Sequence, residues 1–378
     1  MRIALVSDCF LPRVGGIETH VAQLADALAQ AGHEVRVLTT TAVGNASFPF
    51  PKGGCQNLAY EIFRFDTKWT LGLPFNPFAK PLLDPHLRWA EVIHIHFGMV
   101  SPFAKLAADL CVSLGKRALV TWHSHLGDAI SWYRFYVPFS KWLRAGFNFS
   151  AVSNAACGAL VKCAAAGAFA QEQAPLVLPN PVDLSHWEAV RQKRALTLAE
   201  FPKSKNRSFK AVTAARLSKR KRIAPLLEVF PTRPWELTVY GGGASQATLT
   251  AKAARYADKS IHFAGAVSAY RLAAAYAEAD CFVSLVEFEA FGIAALEARA
   301  AGLPVLFRRG NGIGDFITDG FDGIALESDA SLPQVLEEFQ THPEKLRELQ
   351  HNAANTPVNL SWEAQLPAYL QAYHTVFN

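Results

Sequence analysis

Short apolar runs and helix-spaced stretches alternate along this chain twice over, once on each side of residue 190. In the first series residues 3–7 read as a buried strand and residues 9–16 as a loop ending in Gly15-Gly16. Ile17, Val21, Leu24 and Leu28 then fall at helical spacing, Gly32 stops the helix, and residues 35–39 form a second strand. Strand, helix, strand in so little chain requires a parallel sheet with helices on its faces, because parallel neighbours need a crossover. Residues 42–60 read as a loop rich in Gly, Pro and Asn. Residues 92–96 and 118–122 are further strands with a helix at 103–114 between them, and 150–153 leads into an Ala-rich helix around 155–167. The second series places strands at 210–214, 237–240, 261–263, 281–286 and 304–307, and helices at 245–256, 269–277 and 291–301. The expected fold class is therefore α/β, with two doubly wound domains and a cleft between them.

A chain of 378 residues exceeds what one hydrophobic core serves, which agrees with two domains. Their expected bounds are 1–185, joined by a closing amphipathic helix at 362–378, and 186–361, with the polar stretch 186–208 as linker. Apolar residues at 51% and charged ones at 18% exclude a disordered chain. Lys+Arg at 37 against Asp+Glu at 32 is too mild a surplus for nucleic-acid binding, and suits a phosphate-bearing ligand or an anionic membrane surface. Six scattered cysteines form no CxxC pair and show neither metal nor disulfide spacing, the pattern of reduced cytosolic thiols. The first residues turn polar too soon for a secretory signal, and no apolar run reaches about 18 residues. The expected location is cytoplasmic, with peripheral attachment at the inner face of the plasma membrane as an added expectation.

The richest chemistry lies in Glu287-Phe-Glu-Ala-Phe-Gly-Ile-Ala-Ala-Leu-Glu297. Glu289 and Glu297 flank the start of the expected 291–301 helix, and eight helical residues would rise roughly 12 Å between them. Free amides near Phe291, Gly292 and Ile293 would face an anion, where the helix dipole favours negative charge. Each carboxylate would accept hydrogen bonds from hydroxyls on one flank. A ligand with an anionic middle and hydroxylated ends fits this pattern, and a nucleotide sugar is such a ligand.

Other residues support more than one reading. Gly15-Gly16 could let backbone approach a ligand or make an ordinary tight turn, and no G-x-G-x-x-G fingerprint is present. Arg216 and Lys221, just after a strand, could neutralise a diphosphate, whereas Lys219, Arg220 and Arg222 read as a solvated basic run. His94, His96, His123 and His125 have strand spacing that could suggest a metal, but partner ligands are missing nearby. Ligand binding at a strand end suits His123, and satisfied structural histidines suit the rest. Residues 310–315 and Gly241-Gly-Gly243 could place backbone near a ligand or merely connect elements. Residues 132–144 hold aromatics and three basic residues without an acid, as a membrane-interface segment would, or a buried helix with snorkelling cations. Residues 69–85, apolar and broken by prolines, could share that face.

Taken together these residues resemble the retaining glycosyltransferases of family 4, the group 1 glycosyltransferases, whose GT-B architecture sets two Rossmann-like domains facing an interdomain cleft. Glu289-Ala-Phe-Gly-Ile-Ala-Ala-Leu-Glu297 is similar to the E-x7-E element, and Arg216-Leu-Ser-Lys-Arg-Lys221 to the phosphate-binding Arg and Lys. Val14-Gly-Gly16 with Glu18 and His20 resembles the N-terminal glycine loop, Pro179-Asn-Pro-Val-Asp183 the segment before the linker, and Ser361-Trp362 the start of the closing helix. The resemblance implies that Glu289 contacts the transferred sugar and Glu297 the ribose. It puts the diphosphate at the amides of Phe291, Gly292 and Ile293 with Arg216 and Lys221, Gly16 beside diphosphate and acceptor, and His123 near the donor sugar. No metal or other cofactor is expected, since the cations take that role. Three positions depart from the family pattern. Leu285-Val286-Glu287 replaces Pro-Ser and an apolar residue, Arg222 stands where Gly follows the lysine, and Asp315 stands where Glu is common.

The resulting expectation is a retaining transfer of a hexose from GDP-mannose or a UDP-hexose to a lipid-linked or glycolipid acceptor, with no nucleic-acid partner. The alternatives are a nucleotide-sugar epimerase of the same fold, a glycosyltransferase with a soluble small-molecule acceptor, and a non-catalytic nucleotide-sugar-binding or membrane-assembly protein.

Overall fold

The computed structural model describes residues 1–13, 15–43, 58–66, 76, 78–163, 174–200, 208–232, 235–256 and 260–377. The chain divides into two compact units, Met1–Pro181 with Leu360–Asn378, and Val182–Asn359.

The first unit contains β1 (Arg2–Ser7), β2 (Glu34–Thr39), β3 (Glu61–Arg64), β4 (Val92–Phe97), β5 (Leu119–Trp122), β6 (Asn148–Ala151) and β7 (Leu176–Val177). All pair in parallel, in the order β3-β2-β1-β4-β5-β6-β7. The crossovers are α1 (Gly16–Gln30), α2 (Ala79–Trp89), α3 (Pro102–Ser113), α4 (Ile130–Tyr136), α5 (Phe139–Arg144) and α6 (Asn154–Cys163). Every residue of β4 and β5 is buried, as a sheet covered on both faces demands.

The second unit repeats the plan. Its strands β8 (Phe209–Ala214), β9 (Trp235–Tyr240), β10 (Ile261–Gly265), β11 (Cys281–Ser284), β12 (Val305–Arg308) and β13 (Gly323–Leu326) are parallel in the order β10-β9-β8-β11-β12-β13. Its helices are α7 (Ser185–Glu200), α8 (Ile223–Val229), α9 (Gln246–Ala253), α10 (Ala269–Glu278), α11 (Ile293–Ala300), α12 (Ser331–Thr341) and α13 (Pro343–Asn355). Leu226, Leu227, Leu237, Val239, Val283 and Leu306 belong to one buried cluster that joins helices to sheet. The last helix, α14 (Trp362–Phe377), returns to the first unit, where Tyr369, Tyr373 and Val376 enter the core around β1 and α1. The α/β class with two doubly wound sheets is as the alternation required. In each sheet the winding reverses beside the first strand, between β1 and β4 and between β8 and β11. The loops leaving those strands open the crevice in which such sheets bind ligands.

Several boundaries differ from the sequence expectation. The supposed linker at 186–208 is largely the 16-residue helix α7, with 201–207 outside the described residues. It docks through buried Trp187 and through arginines. Arg194 donates to the carbonyls of Tyr276 and Ala277 at 3.1 and 3.3 Å, and Arg191 to that of Ala354 at 2.9 Å. Packing through long polar side chains leaves no apolar stripe to read. β11 stops at Ser284, and α11 starts only at Ile293 because Gly292 before it is left-handed, with φ 93°. Glu289 therefore sits in a loop, and the helical rise of roughly 12 Å does not describe its separation from Glu297. β6 begins two residues before the expected position, at Asn148. Much of 42–60, all of 164–167 and most of 69–77 lie outside the described residues.

Candidate functional site

The switch point of the second sheet brings together most of the residues singled out in the sequence. β8 runs into Ala215-Arg216-Leu217, whose backbone is laid against the Gly241–Gly243 run. Ala215 N donates to Tyr240 O at 3.1 Å and Leu217 N to Gly242 O at 2.9 Å. A Cβ on Gly241 would lie 2.0 Å from Ala215 O, so this close approach requires glycine. Arg216 is exposed at the strand end. A short turn at Lys219–Lys221 follows, and Lys221 Nζ makes a hydrogen-bonded ion pair with Glu289. Lys219 and Arg220 are solvated, as expected. Arg222 is not. Its guanidinium bonds to Leu285 O and to Asp329, which overturns its reading as part of a solvated run.

The loop between β11 and α11 is held from its other side by residues 311–312. Asn311 Nδ2 donates to Val286 O at 2.7 Å, and Gly312 N donates to Glu289 O at 2.9 Å. Asn311 carries no signal of its own in the sequence, where only the glycines mark this loop. The Phe291 side chain is buried against Phe316, so its backbone alone is offered to a ligand. Gly292 caps α11, and Ala295 N and Leu296 N both close on Gly292 O. The amides ahead of them have no partner within the helix, the condition for binding an anion. Within this loop Glu287 is exposed and Glu289 partly buried.

Glu297, one turn into α11, is partly buried, and among the described residues nothing hydrogen-bonds to its carboxylate. Burial pushes it up to about 7. An acid raised on folding favours the folded state below its unfolded value, and that stability is lost as pH rises through the folded one. The ligand-free protein should therefore lose roughly 2–3 kcal/mol of stability between about pH 4.5 and 8 on account of Glu297. Melting curves of wild type and Glu297→Gln across that range should converge at low pH and separate at high pH, with the variant more stable there. Parallel curves would refute the assignment.

In the first unit the crevice lies between β1 and β4. Asp8, at the end of β1, accepts from Phe103 N and Ala104 N at 2.9 and 3.0 Å, capping α3 in trans. Burial pushes Asp8 up to about 7 against those two amides. Gly16 opens α1, and the nearby Arg13 pairs with buried Glu18 at 3.1 Å.

Four histidines, His20, His94, His96 and His123, crowd the same region, and His125 follows in the loop after β5. His94 is satisfied by Tyr373 Oη at 2.8 Å and Thr121 Oγ1 at 2.6 Å, as a structural histidine should be. His125 accepts from Gly127 N at 3.1 Å. His20, His96 and His123 are the set whose ring nitrogens lie within 4.8 Å of one another and could hold a metal. His20 escaped the sequence argument for a metal because α1 meets β4 and β5 only through the strand order. His96 Nδ1 and His123 Nε2 are hydrogen-bonded at 2.9 Å, which spends one nitrogen of each ring, and the set contains no carboxylate. Burial is the main cause that pushes His123 down to about 3, only partly opposed by Asn180, so the ring is neutral at working pH.

Residues 132–144 form α4, a short connection and α5, with Tyr133, Phe139 and Trp142 buried and Trp132 and Phe135 exposed at 47% and 92%. Lys141 and Arg144 are exposed on α5, where Lys141 pairs with Asp109 at 3.6 Å. Arg134 is committed elsewhere, to the carbonyls of Lys162 and Cys163. The stretch is thus partly core, with exposed aromatics on α4 and exposed cations on α5. Among the described residues no helix is long and apolar enough to cross a membrane.

Residues 14–186 match the model of Glycosyltransferase Family 4, and residues 197–356 that of glycosyl transferases group 1. The chain is 24% identical over 380 residues to an alpha-monoglucosyldiacylglycerol synthase of Acholeplasma laidlawii, covering 93% of this chain and 92% of that one. It is 25% identical over 345 residues to a GDP-mannose-dependent alpha-(1-6)-phosphatidylinositol monomannoside mannosyltransferase of Mycobacterium tuberculosis, covering 86% and 85%. Among solved structures it resembles a glycosyltransferase from Rickettsia africae, with TM-score 0.72, 18% identity and coverage of 100% and 98%. It also resembles Anabaena HepE in complex with UDP and glucose, with TM-score 0.69, 16% identity and coverage of 98% and 99%.

Proposed function

The chain belongs to the group 1 glycosyltransferases of family 4, with the two Rossmann-like domains of the GT-B architecture, and is a glycosyltransferase; we propose that it moves a hexose from GDP-mannose or a UDP-hexose to a lipid-linked or glycolipid acceptor, with retention at the anomeric carbon. The observation that carries this reading is the Lys221–Glu289 pair in the loop leading to the Gly292-capped helix α11. It sets a carboxylate for sugar hydroxyls beside amides and cations for a diphosphate.

In this reading the diphosphate sits on the amides of Phe291, Gly292 and Ile293, with Arg216 and Lys221 supplying charge. Glu289 takes the hydroxyls of the transferred sugar. Glu297 takes the ribose hydroxyls, which would satisfy its carboxylate. Gly16 is assigned to the acceptor and His123, neutral, to a sugar hydroxyl. The bond from the anomeric carbon to the phosphate oxygen breaks first, leaving an oxocarbenium-like sugar and a nucleoside diphosphate. An acceptor hydroxyl attacks on the same face, and its proton passes to the departing phosphate oxygen. Positioning and charge stabilisation then supply the catalysis without a side-chain base. Cationic side chains take the place of a metal ion. A lipid acceptor is supported by the similarity to the two glycolipid-synthesising relatives and by the exposed Trp132, Phe135, Lys141 and Arg144 of one segment. Such an enzyme would work at the cytoplasmic face of a membrane, attached peripherally.

Labelled GDP-mannose and UDP-hexoses, offered with diacylglycerol or glycolipid in anionic vesicles, test the whole reading. The expected result is label in the lipid phase from one donor class, unaffected by chelator. Label only in a water-soluble product would replace the acceptor. An epimerised sugar, or donor binding without turnover against every acceptor, would refute the reading.

A further inference from the structure

Among the described residues other than glycine, Arg222 is the position with a left-handed backbone, at φ 50° and ψ 41°. L-residues avoid that region because Cβ crowds the following carbonyl, and glycine occupies it freely. A side chain kept there must return something that glycine cannot.

What it returns is a grip on the Glu289 loop. Arg222 Nε donates to Leu285 O at 3.0 Å, and its terminal nitrogen bonds to Asp329. Asp329 in turn accepts from Arg308 Nη1 at 2.7 Å, on the end of β12. Leu285 is the first residue past β11 and is buried, so its carbonyl has left the sheet ladder and needs a donor. The preceding residue, Lys221, reaches the other end of the same loop at Glu289. One dipeptide thus holds both ends of 285–289, while Asn311 and Gly312 hold it from the opposite flank.

We propose that Arg222 is a positioning residue: by clamping Leu285 and Asp329 it fixes the loop that presents Glu289. This inference rests on the reading that Glu289 meets the transferred sugar. Arg222 itself touches neither substrate nor product.

Arg222→Gly tests it, since glycine relieves the backbone constraint while removing both donors. The melting temperature should stay close to wild type, because the two effects oppose each other. The kcat for transfer should fall about tenfold or more, as expected when a reacting group is displaced by a fraction of an ångström, while the Kd for GDP or UDP stays within about twofold. Arg222→Lys, which keeps one donor, should recover part of the lost kcat. A folded Arg222→Gly enzyme with wild-type kcat overturns the proposal, as does a Lys variant no better than the Gly variant. If Arg222→Gly fails to fold, the decision passes to Arg222→Lys. A kcat reduced about threefold or more with unchanged diphosphate affinity then supports the clamp, and wild-type kcat overturns it. Glu289→Gln measured in parallel separates the two levels. Wild-type rates there refute the role of Glu289, whereas a slow Glu289→Gln beside a fully active Arg222→Gly refutes only the clamp.

Discussion

Glu289→Gln should lower the transfer rate about a thousandfold while the second unit stays folded. The carboxylate is 15% exposed and paired with Lys221, itself 32% exposed. Removing one partner of so accessible a pair costs stability only about 1 kcal/mol, because the orphaned lysine can be hydrated. The effect on catalysis is of another order. In the proposed transition state the sugar carries positive charge, and a fixed carboxylate at its hydroxyls gains strength as that charge develops. Interactions of this kind, present in the transition state and weaker in the ground state, contribute roughly 3–4 kcal/mol each. A thousandfold corresponds to about 4 kcal/mol. The neutral amide keeps the shape and some hydrogen bonds, so donor KM should move little. Lys221→Met should also be slow, and combining it with Glu289→Gln should add less than the sum of the two, since each sets the position of the other. Steady-state kinetics with the donor that turns over would decide it. A loss below tenfold, or full additivity with Lys221→Met, would end the assignment of Glu289 to the reacting sugar.

Much of this candidate site is legible in the sequence because its parts lie at strand ends, where apolar runs stop and chemistry begins. Arg216 and Lys221 follow one such run, and Glu289 another. The sequence could not say that β8 and β11 are neighbours, with the winding reversed between them. That pairing is a property of non-local packing, and it alone joins Lys221 to Glu289 across 68 residues of sequence. The same blindness hides His20, whose ring nears those of His96 and His123 only because β4 and β5 follow β1 in the sheet order. Local misreadings had local causes. α7 lacked an apolar stripe because it docks through Arg191 and Arg194. The helical pattern starts α11 two residues too early because Gly292 reads as helix interior when it is the left-handed cap. Arg222 reads as solvated because a run of like charges gives no sign that one member is turned inward by its backbone.

Gly312→Ala should damage the second unit severely, and its neighbour Gly310→Ala only mildly. The two glycines lie in one turn-rich loop and look equivalent in sequence. Gly310 has φ 84° but open space where a Cβ would stand. Alanine there costs only the left-handed conformation, about 1–2 kcal/mol. Gly312 is crowded instead. Its Cβ would lie 2.1 Å from the carbonyl oxygen of Ala290 and 2.9 Å from Phe291 Cα. Both obstacles are backbone, so no rotamer change relieves the overlap and the two loops must separate. Separation breaks the bond from Gly312 N to Glu289 O and loosens the anchor of Asn311 on Val286. The stability cost should be about 2–4 kcal/mol, in the range of overpacked sites. The rate should fall about a hundredfold even at temperatures where the variant is folded, since Glu289 is carried by the displaced loop. Denaturant titrations and kcat for both variants provide the comparison. If Gly312→Ala behaves like Gly310→Ala in both, the close contact between the two loops does not hold Glu289 in place, and its position must be set by the Lys221 side alone.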